Sequence, residues 1–243
     1  MSAVMILIPS RMASTRFPNK PLADILGTPM VVRVLQQAAK ANAGPVYAAV
    51  SEQEVADVVE AAGFKAVMTD AALPSGSDRI WQGVQRLMAQ GVEKPEIIIN
   101  AQGDEPLMPP ELITECLKAF KDKPDADVVT FAHKVTDEGD ITNPTKVKVV
   151  IGLDGRALYF SRSPIPYGAK EMWRHVGFYG YRYAALEKYV QQSPTPLQKQ
   201  EDLEQLRGLE IGLTYYVVET LHEPVGVDTP ADLERVKGML AQS

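Results

Sequence analysis

A chain of 243 residues is long enough for one large α/β domain or two small ones, each with a buried core. A hydrophobic share of 45%, a charged share of 23% and a formal net charge of −6 describe an ordinary soluble globule. They argue against general attraction to nucleic acid or to an anionic membrane, so any anion site must be local. The single cysteine, Cys116, allows no internal disulfide. The short apolar run near the start reads as neither signal peptide nor membrane span, so a cytoplasmic protein is expected.

Val4 to Ile8 is a branched apolar run of strand length that breaks at Pro9 into a loop. The loop carries Arg11, Arg16 and Lys20, interleaved with Ser10, Ala13, Ser14 and Thr15. Cations and small residues at a strand end suit an anion, because backbone N–H groups left free there can point at phosphate oxygens. The competing reading is solvated cations on a surface turn. Position decides against it, since nucleotide sites of open α/β sheets lie just after such a strand. A Walker loop is excluded, because Lys20 stands between Asn19 and Pro21, and no Gly-x-Gly occurs anywhere for a dinucleotide fingerprint.

Thr28 as cap and Pro29 at the first helical position predict a helix with Val31, Val34, Leu35 and Ala38 on one face. Val46 to Val50 follows as a strand, then a helix opened by a Ser51/Glu54 capping box and stopped by Gly63, then a strand at Lys65 to Thr69. Leu73 to Arg79 is a polar turn opening a helix whose apolar face is Ile80, Val84, Leu87 and Met88, and Glu96 to Asn100 is a strand. This alternation predicts an α/β fold: a mostly parallel, nucleotide-binding sheet with helices on both faces. Cys116 shares a helix face with Ile113, Leu117 and Phe120 and reads as core.

After residue 140 the pattern changes. Lys146 to Ile151, a hairpin turn at Asp154-Gly155, Ala157 to Arg162 and His175 to Tyr183 predict an antiparallel β insertion at about 145–183 within a single domain, 1–243. Helical patterns resume at Leu186 to Val190 and at Leu203, Leu206 and Leu209, and Leu213 to Glu219 is strand-like. Thr229, Pro230 and Asp232 start a last helix with Leu233, Val236 and Leu240 on one face.

Asp104 follows the strongest strand, which places it at the carboxyl edge of the sheet. A carboxylate facing a cationic loop suits a Mg²⁺ ion shared with a triphosphate, since magnesium takes one or two protein carboxylates and completes its shell with phosphate and water. Asp228 is the candidate second carboxylate. It could equally be a helix cap, although Thr229 competes for that task. His133 and His222 match no metal-ligand spacing.

Seven stretches together resemble the 3-deoxy-manno-octulosonate (Kdo) cytidylyltransferases among the sugar-activating nucleotidyltransferases. They are Ile8-Pro9-Ser10-Arg11 running into Ala13-Ser14-Thr15-Arg16-Phe17-Pro18-Asn19-Lys20-Pro21-Leu22, then Ser75-Gly76-Ser77-Asp78-Arg79, Gln102-Gly103-Asp104-Glu105-Pro106 with Val227-Asp228-Thr229-Pro230, Tyr159-Phe160-Ser161-Arg162, His175-Val176-Gly177-Phe178-Tyr179-Gly180-Tyr181, and Leu203-Glu204-Gln205-Leu206-Arg207. Ser10 stands where the family usually has Ala, Asn19 where it has Gly, and Asp78 where many members have Glu.

The resemblance implies a nucleotide-diphospho-sugar transferase fold and transfer of CMP from CTP to the anomeric hydroxyl of Kdo, for lipopolysaccharide biosynthesis. It implies Mg²⁺ on Asp104 and Asp228, with Arg11 and Lys20 on the phosphates as the other catalytic residues. Ser10, Arg11, Ala13, Lys20, Ser77, Asp78, Arg79, Gln102 and Asp104 would bind the nucleotide. Gln102, Arg162, His175, Tyr179, Glu204 and Gln205 would bind the sugar, to which a cation and hydroxyl-bonding groups are suited. A homodimer is implied, with no nucleic-acid or membrane partner. The competing readings are the same chemistry on 8-amino-3,8-dideoxy-manno-octulosonate or on another acidic sugar such as sialic acid, and a non-catalytic nucleotide-binding homologue.

Overall fold

The computed structural model describes residues 3–13, 17–223 and 225–242. Ser14, Thr15 and Arg16 of the first loop lie outside the described residues. The fold is α/β, and its backbone divides into two compact units, Met1–Thr114 with Pro224–Ser243, and Glu115–Glu223.

The first unit contains Val4–Ser10 (β1), Asp24–Ile25 (β2), Thr28–Pro29 (β3), Met30–Lys40 (α1), Val46–Val50 (β4), Gln53–Ala61 (α2), Lys65–Met68 (β5), Gly76–Ala89 (α3) and Ile97–Asn100 (β6). Strand β1 pairs in parallel with β4 on one side and β6 on the other, and β4 pairs in parallel with β5. The chain therefore moves outward from β1 through β4 to β5, then returns to the opposite side of β1 as β6. That reversal makes the carboxyl ends of β1 and β6 a topological switch point, where ligands bind in open α/β sheets.

Strand β1 continues through Pro9, beyond its expected end. Ile6 N–H donates to Pro45 O on the β4 side. Alternation therefore turns Pro9 toward β6, whose ladder ends at the Leu7–Asn100 pair. A missing N–H is tolerated there because no strand remains to receive it. Helix α3 packs Gly83 onto the sheet so closely that a Cβ would stand 3.0 Å from Leu7 and 3.2 Å from Val67.

Two expected helix starts are corrected. Thr28 and Pro29 pair with Ile25 and Asp24 in a two-stranded antiparallel hairpin, so Thr28 is not a cap and α1 begins at Met30. The turn holds Leu26 at φ 50 and Gly27 at φ 80, and a leucine in that conformation gives little sequence warning. Helix α2 lacks the Ser51/Glu54 capping box. Its N-cap is Glu52, whose carboxylate is engaged elsewhere, by Ser51 Oγ at 3.0 Å and Met12 N–H at 3.1 Å. The last helix, Pro230–Leu240, begins as expected with a full Thr229/Asp232 capping box, and its Leu233 and Val236 pack with Ile25, Met30 and Val227.

Helix Glu111–Asp122 (α4) spans the division between the units and buries Cys116, whose thiol is pushed up in pKa by burial. The second unit then adds Val128–Val135 (β7), Glu138–Thr142 (α5), Lys148–Ile151 (β8), Ala157–Ser161 (β9), Met172–Arg182 (β10), Tyr183–Val190 (α6), Pro196–Glu201 (α7), Gln205–Glu210 (α8) and Tyr215–Glu219 (β11). Strands β7, β10, β8 and β9 pair antiparallel in that order, and β11 lies parallel to β7. The antiparallel region thus extends beyond the expected insertion to include β7, which sequence reading left unassigned although Val128-Val129-Thr130-Phe131 has the branched and aromatic make-up of a strand. The sheet curls until Val217 N–H donates to Gly155 O at 2.9 Å, joining the Asp154-Gly155 turn to β11. Among the described residues no helix is long and apolar enough to cross a membrane.

Candidate active site

A cavity of about 420 Å³ opens at the carboxyl ends of β1 and β6 and takes its walls from the first unit. Its floor is built by close backbone approach. Gly103 follows β6 so tightly against β1 that a Cβ there would stand 2.5 Å from Pro9 O, so no side chain fits. Eight of the residues expected at the nucleotide and metal sites line this cavity: Ser10, Arg11, Ala13, Lys20, Arg79, Gln102, Asp104 and Asp228.

Lys20 opens a single 3₁₀ turn, Lys20–Leu22, preceded by Asn19 in the left-handed region at φ 58. That is the conformation in which Asn substitutes best for glycine. Asn19 N–H donates to Met12 O at 3.3 Å and draws the two ends of the loop together. The Lys20 ammonium donates to Asp104 Oδ2 at 2.9 Å and to Asp228 Oδ1 at 3.4 Å. One backbone bond sets those carboxylates side by side, Val227 N–H to Asp104 O at 2.9 Å. Thr229 takes the capping role, and Asp228 directs only its N–H to Asp232, at 3.2 Å.

Arg79 is 2% exposed. Its Nη1 donates to Thr69 Oγ1 at 2.6 Å, and Thr69 donates onward to Val50 O at 2.8 Å, so the guanidinium is anchored to the end of β4. Burial first, and then the nearby Arg11 charge, lowers its pKa. Its Nη2 and the Ser10 hydroxyl are buried at the cavity with no protein partner. Orphaned donors in a polar cavity are what a bound polar ligand would satisfy.

Ser77 and Asp78 do not line the cavity. Ser77 is buried in the first turn of α3, and Asp78 folds back on the N-cap Ser75, accepting from its Oγ at 2.5 Å. The residues expected to bind sugar lie in the second unit, apart from Gln102. Arg162 directs Nε to Glu201 O at 2.8 Å, Nη2 to Asp202 O at 2.9 Å and Nη1 to Pro144 O at 3.2 Å. His175 is buried against Phe160 and Tyr179, with Nε2 2.9 Å from Thr130 Oγ1. Burial lowers its pKa to about 3, so the ring is neutral. Gln205 is buried, and Glu204, the N-cap of α8, raises the pKa of the buried Tyr179 phenol beyond what burial alone does.

Four supporting residues escaped sequence reading: Glu52 on the loop amide, Thr69 beneath Arg79, Thr130 beside His175, and Glu201, whose carboxylate accepts from Ser161 Oγ at 2.7 Å and Arg162 N–H at 2.9 Å. None sits in a motif, because each acts across a long chain separation. Among the described residues no group of three or more His, Cys, Asp or Glu side chains could hold a metal. The Asp104/Asp228 pair offers hard oxygens from two carboxylates, a donor set that fits magnesium when phosphate and water complete the shell.

A cytidylyltransferase family profile matches residues 5–220. A 3-deoxy-manno-octulosonate cytidylyltransferase of Parvibaculum lavamentivorans is 47% identical, over 98% of this chain and 93% of that protein. The chain belongs to the 3-deoxy-manno-octulosonate cytidylyltransferase family. A relative of the same name from Azorhizobium caulinodans is 46% identical over all of this chain and 97% of its own. The solved structure of a CMP:2-keto-3-deoxy-manno-octonic acid synthetase complexed with CTP superposes with a TM-score of 0.91 at 38% identity, covering 99% of both chains. A cytidylyltransferase from Leptospira borgpetersenii, at TM-score 0.68 and 14% identity, shares the fold over all of this chain and 88% of its own.

Proposed function

We propose that this family member, a nucleotidyltransferase, transfers CMP from CTP to the anomeric hydroxyl of 3-deoxy-manno-octulosonate and releases pyrophosphate. The observation that carries the reading is the meeting of Lys20, Asp104 and Asp228 at the switch point of the sheet. The hydroxyl oxygen attacks the α-phosphorus as the bond to the departing pyrophosphate breaks in line with it. Little covalent chemistry falls to the protein, so catalysis is chiefly positioning and neutralisation of charge.

In this reading Arg11 and Lys20 bind the phosphates, and Arg79, Ser10 and Gln102 orient the nucleotide with donors the protein leaves unused or exposed to the cavity. Asp104 and Asp228 would hold Mg²⁺, which supplies further charge neutralisation for the triphosphate. The second unit binds the sugar. Arg162 spends three of its five N–H groups on carbonyls and has Nη2 3.6 Å from Asp202 Oδ2, and its guanidinium is the cation that meets the sugar carboxylate. Neutral His175, with Tyr179, Glu204 and Gln205, bonds hydroxyls. The protein acts as a cytoplasmic homodimer that supplies activated sugar for lipopolysaccharide; the family resemblance supports these three points.

The test is pyrophosphate release with CTP and Mg²⁺, comparing Kdo, its 8-amino analogue and sialic acid. Release with Kdo above the other two is expected. No release with Kdo from folded protein that binds CTP would overturn the reading.

A further inference from the structure

The Lys20 ammonium occupies the point at which a small cation would gather Asp104 and Asp228. It stands 2.9 Å and 3.4 Å from one oxygen of each, and its side chain is 16% exposed against 34% and 48% for the aspartates. An ammonium and a divalent ion cannot share that point, because both would be drawn to the same two oxygens while repelling each other strongly at such range.

The backbone of Lys20 is fixed. Its carbonyl accepts Ala23 N–H at 3.1 Å, and Asn19 O accepts Leu22 N–H at 3.0 Å. Only the side chain can yield, and a lysine is suited to do so, as a compact charge on a flexible four-carbon stem. A triphosphate in the same cavity offers that ammonium a stronger anion than either carboxylate.

We propose that Lys20 is a resident counterion that excludes free divalent metal until the nucleotide arrives. Without nucleotide it keeps two carboxylates paired that would otherwise repel. With nucleotide it moves to the phosphates and gives up its bonds to Asp104 and Asp228, so that metal loads with the nucleotide and not before it. This rests on the reading of Asp104 and Asp228 as metal ligands.

Mn²⁺, followed by the electron paramagnetic resonance of the free ion, probes the whole chain without CTP and, against a matched control of CTP without protein because the triphosphate itself chelates the ion, with CTP. Wild type should bind Mn²⁺ weakly alone and at least about tenfold more tightly with CTP, the scale set by one neighbouring charge. Lys20→Met, and Lys20→Gln as a second neutral variant, should bind Mn²⁺ without CTP at least about tenfold more tightly than wild type. Lys20→Arg keeps a cation between the carboxylates, and Arg11→Met removes one elsewhere in the cavity; without CTP both should bind Mn²⁺ as weakly as wild type does. Equal affinity in wild type and both neutral Lys20 variants would overturn the proposal, as would equal tightening in Arg11→Met, which would make the effect one of net charge. Failure of wild type to bind Mn²⁺ even with CTP would overturn the metal reading itself; strong CTP-dependent binding with unchanged Lys20 variants would overturn this proposal alone.

Discussion

Asp104 O accepts the Val227 N–H at 2.9 Å, and through that bond a residue in the loop after β6 fixes the carboxylate of Asp228, 124 positions along the chain by subtraction of their numbers. Asp104→Asn and Asp228→Asn keep the backbone bond and the side-chain shape while removing one negative charge. Each should lower pyrophosphate release on the order of a thousandfold, as loss of a group that organises transferring phosphates does. The circular dichroism spectrum should not change. Turnover within a few-fold of wild type would remove that carboxylate from the mechanism.

Gly103→Ala tests the floor of the cavity. Its Cβ would stand 2.5 Å from Pro9 O and 3.3 Å from Ser10 Oγ, and a backbone carbonyl cannot rotate away as a side chain can. The loops after β1 and β6 must separate, at a cost of about 1–3 kcal/mol in denaturant unfolding. The KM for CTP should rise with it, because Ser10 and Asp104 move apart. A variant of wild-type stability and KM would show that the contact is not constraining.

Gly208→Ala has an expected sign opposite to helix propensity. Alanine in a helix normally stabilises by about 0.5–1 kcal/mol over glycine. In α8 its Cβ would collide with the Tyr215 hydroxyl and stand 2.6 Å from Cε2, so destabilisation is expected. Truncation of the ring by Tyr215→Val should make Gly208→Ala less costly, or favourable, in that background. The Tyr215 hydroxyl is itself buried without a partner, so Tyr215→Phe should be neutral or stabilising. Thermal melts of the single and double variants decide both points.

What was legible in the sequence was local. The Ile97-Ile98-Ile99 run, the Thr229/Asp232 cap and the Asp154-Gly155 turn each declare themselves within a few residues, and the structure forms all of them. Asp104 at the carboxyl edge of the sheet, facing the cationic loop, was expected from the strand order, whereas the direct bonds of Lys20 to Asp104 and Asp228 were not, because Lys20 was expected on the phosphates. The β2–β3 hairpin was not foreseen either, since its turn puts Leu26 where Gly or Asn would be expected. Asp78 had the residue type for a ligand, but its acceptance of the Ser75 hydroxyl at the start of α3 was not read from the sequence. Glu52 and Thr69 were illegible for another reason: their partners, Met12 and Arg79, are 40 and 10 positions away and are known only once β1, β4 and α3 are packed.

Burial holds the His175 pKa at about 3, below its ordinary 6.5. The unfolded chain therefore binds a proton between those values that the folded chain refuses. Stability contributed by neutral His175 is complete above about pH 6.5 and falls as the solution is acidified, by about 1.4 kcal/mol per pH unit for one proton. His222 is lowered too, mainly by burial, and adds to the same window. Urea unfolding of wild type between pH 4 and 6.5 should show this slope, and His175→Asn should remove about one proton of it. An unchanged slope would mean that His175 protonates freely in the folded state.

Glu52 holds the nucleotide loop from outside the cavity. Its Oε2 accepts Met12 N–H at 3.1 Å and its Oε1 accepts Ser51 Oγ at 3.0 Å, which fixes the backbone between Arg11 and Ala13. Hydrogen bonds to a charged group contribute about 1.5–3 kcal/mol. Loss of this one in Glu52→Ala should appear first as disorder of the loop, since β1 and β4 keep their ladder without it. The expected result is a KM for CTP raised about tenfold, roughly the lower end of that range, with kcat changed less and the unfolding midpoint nearly unaltered. Glu52→Gln retains an acceptor and should recover most of the loss. If both variants instead lowered kcat equally with KM unmoved, Glu52 would be acting on the reacting phosphates through its charge, and its bond to Met12 would be incidental.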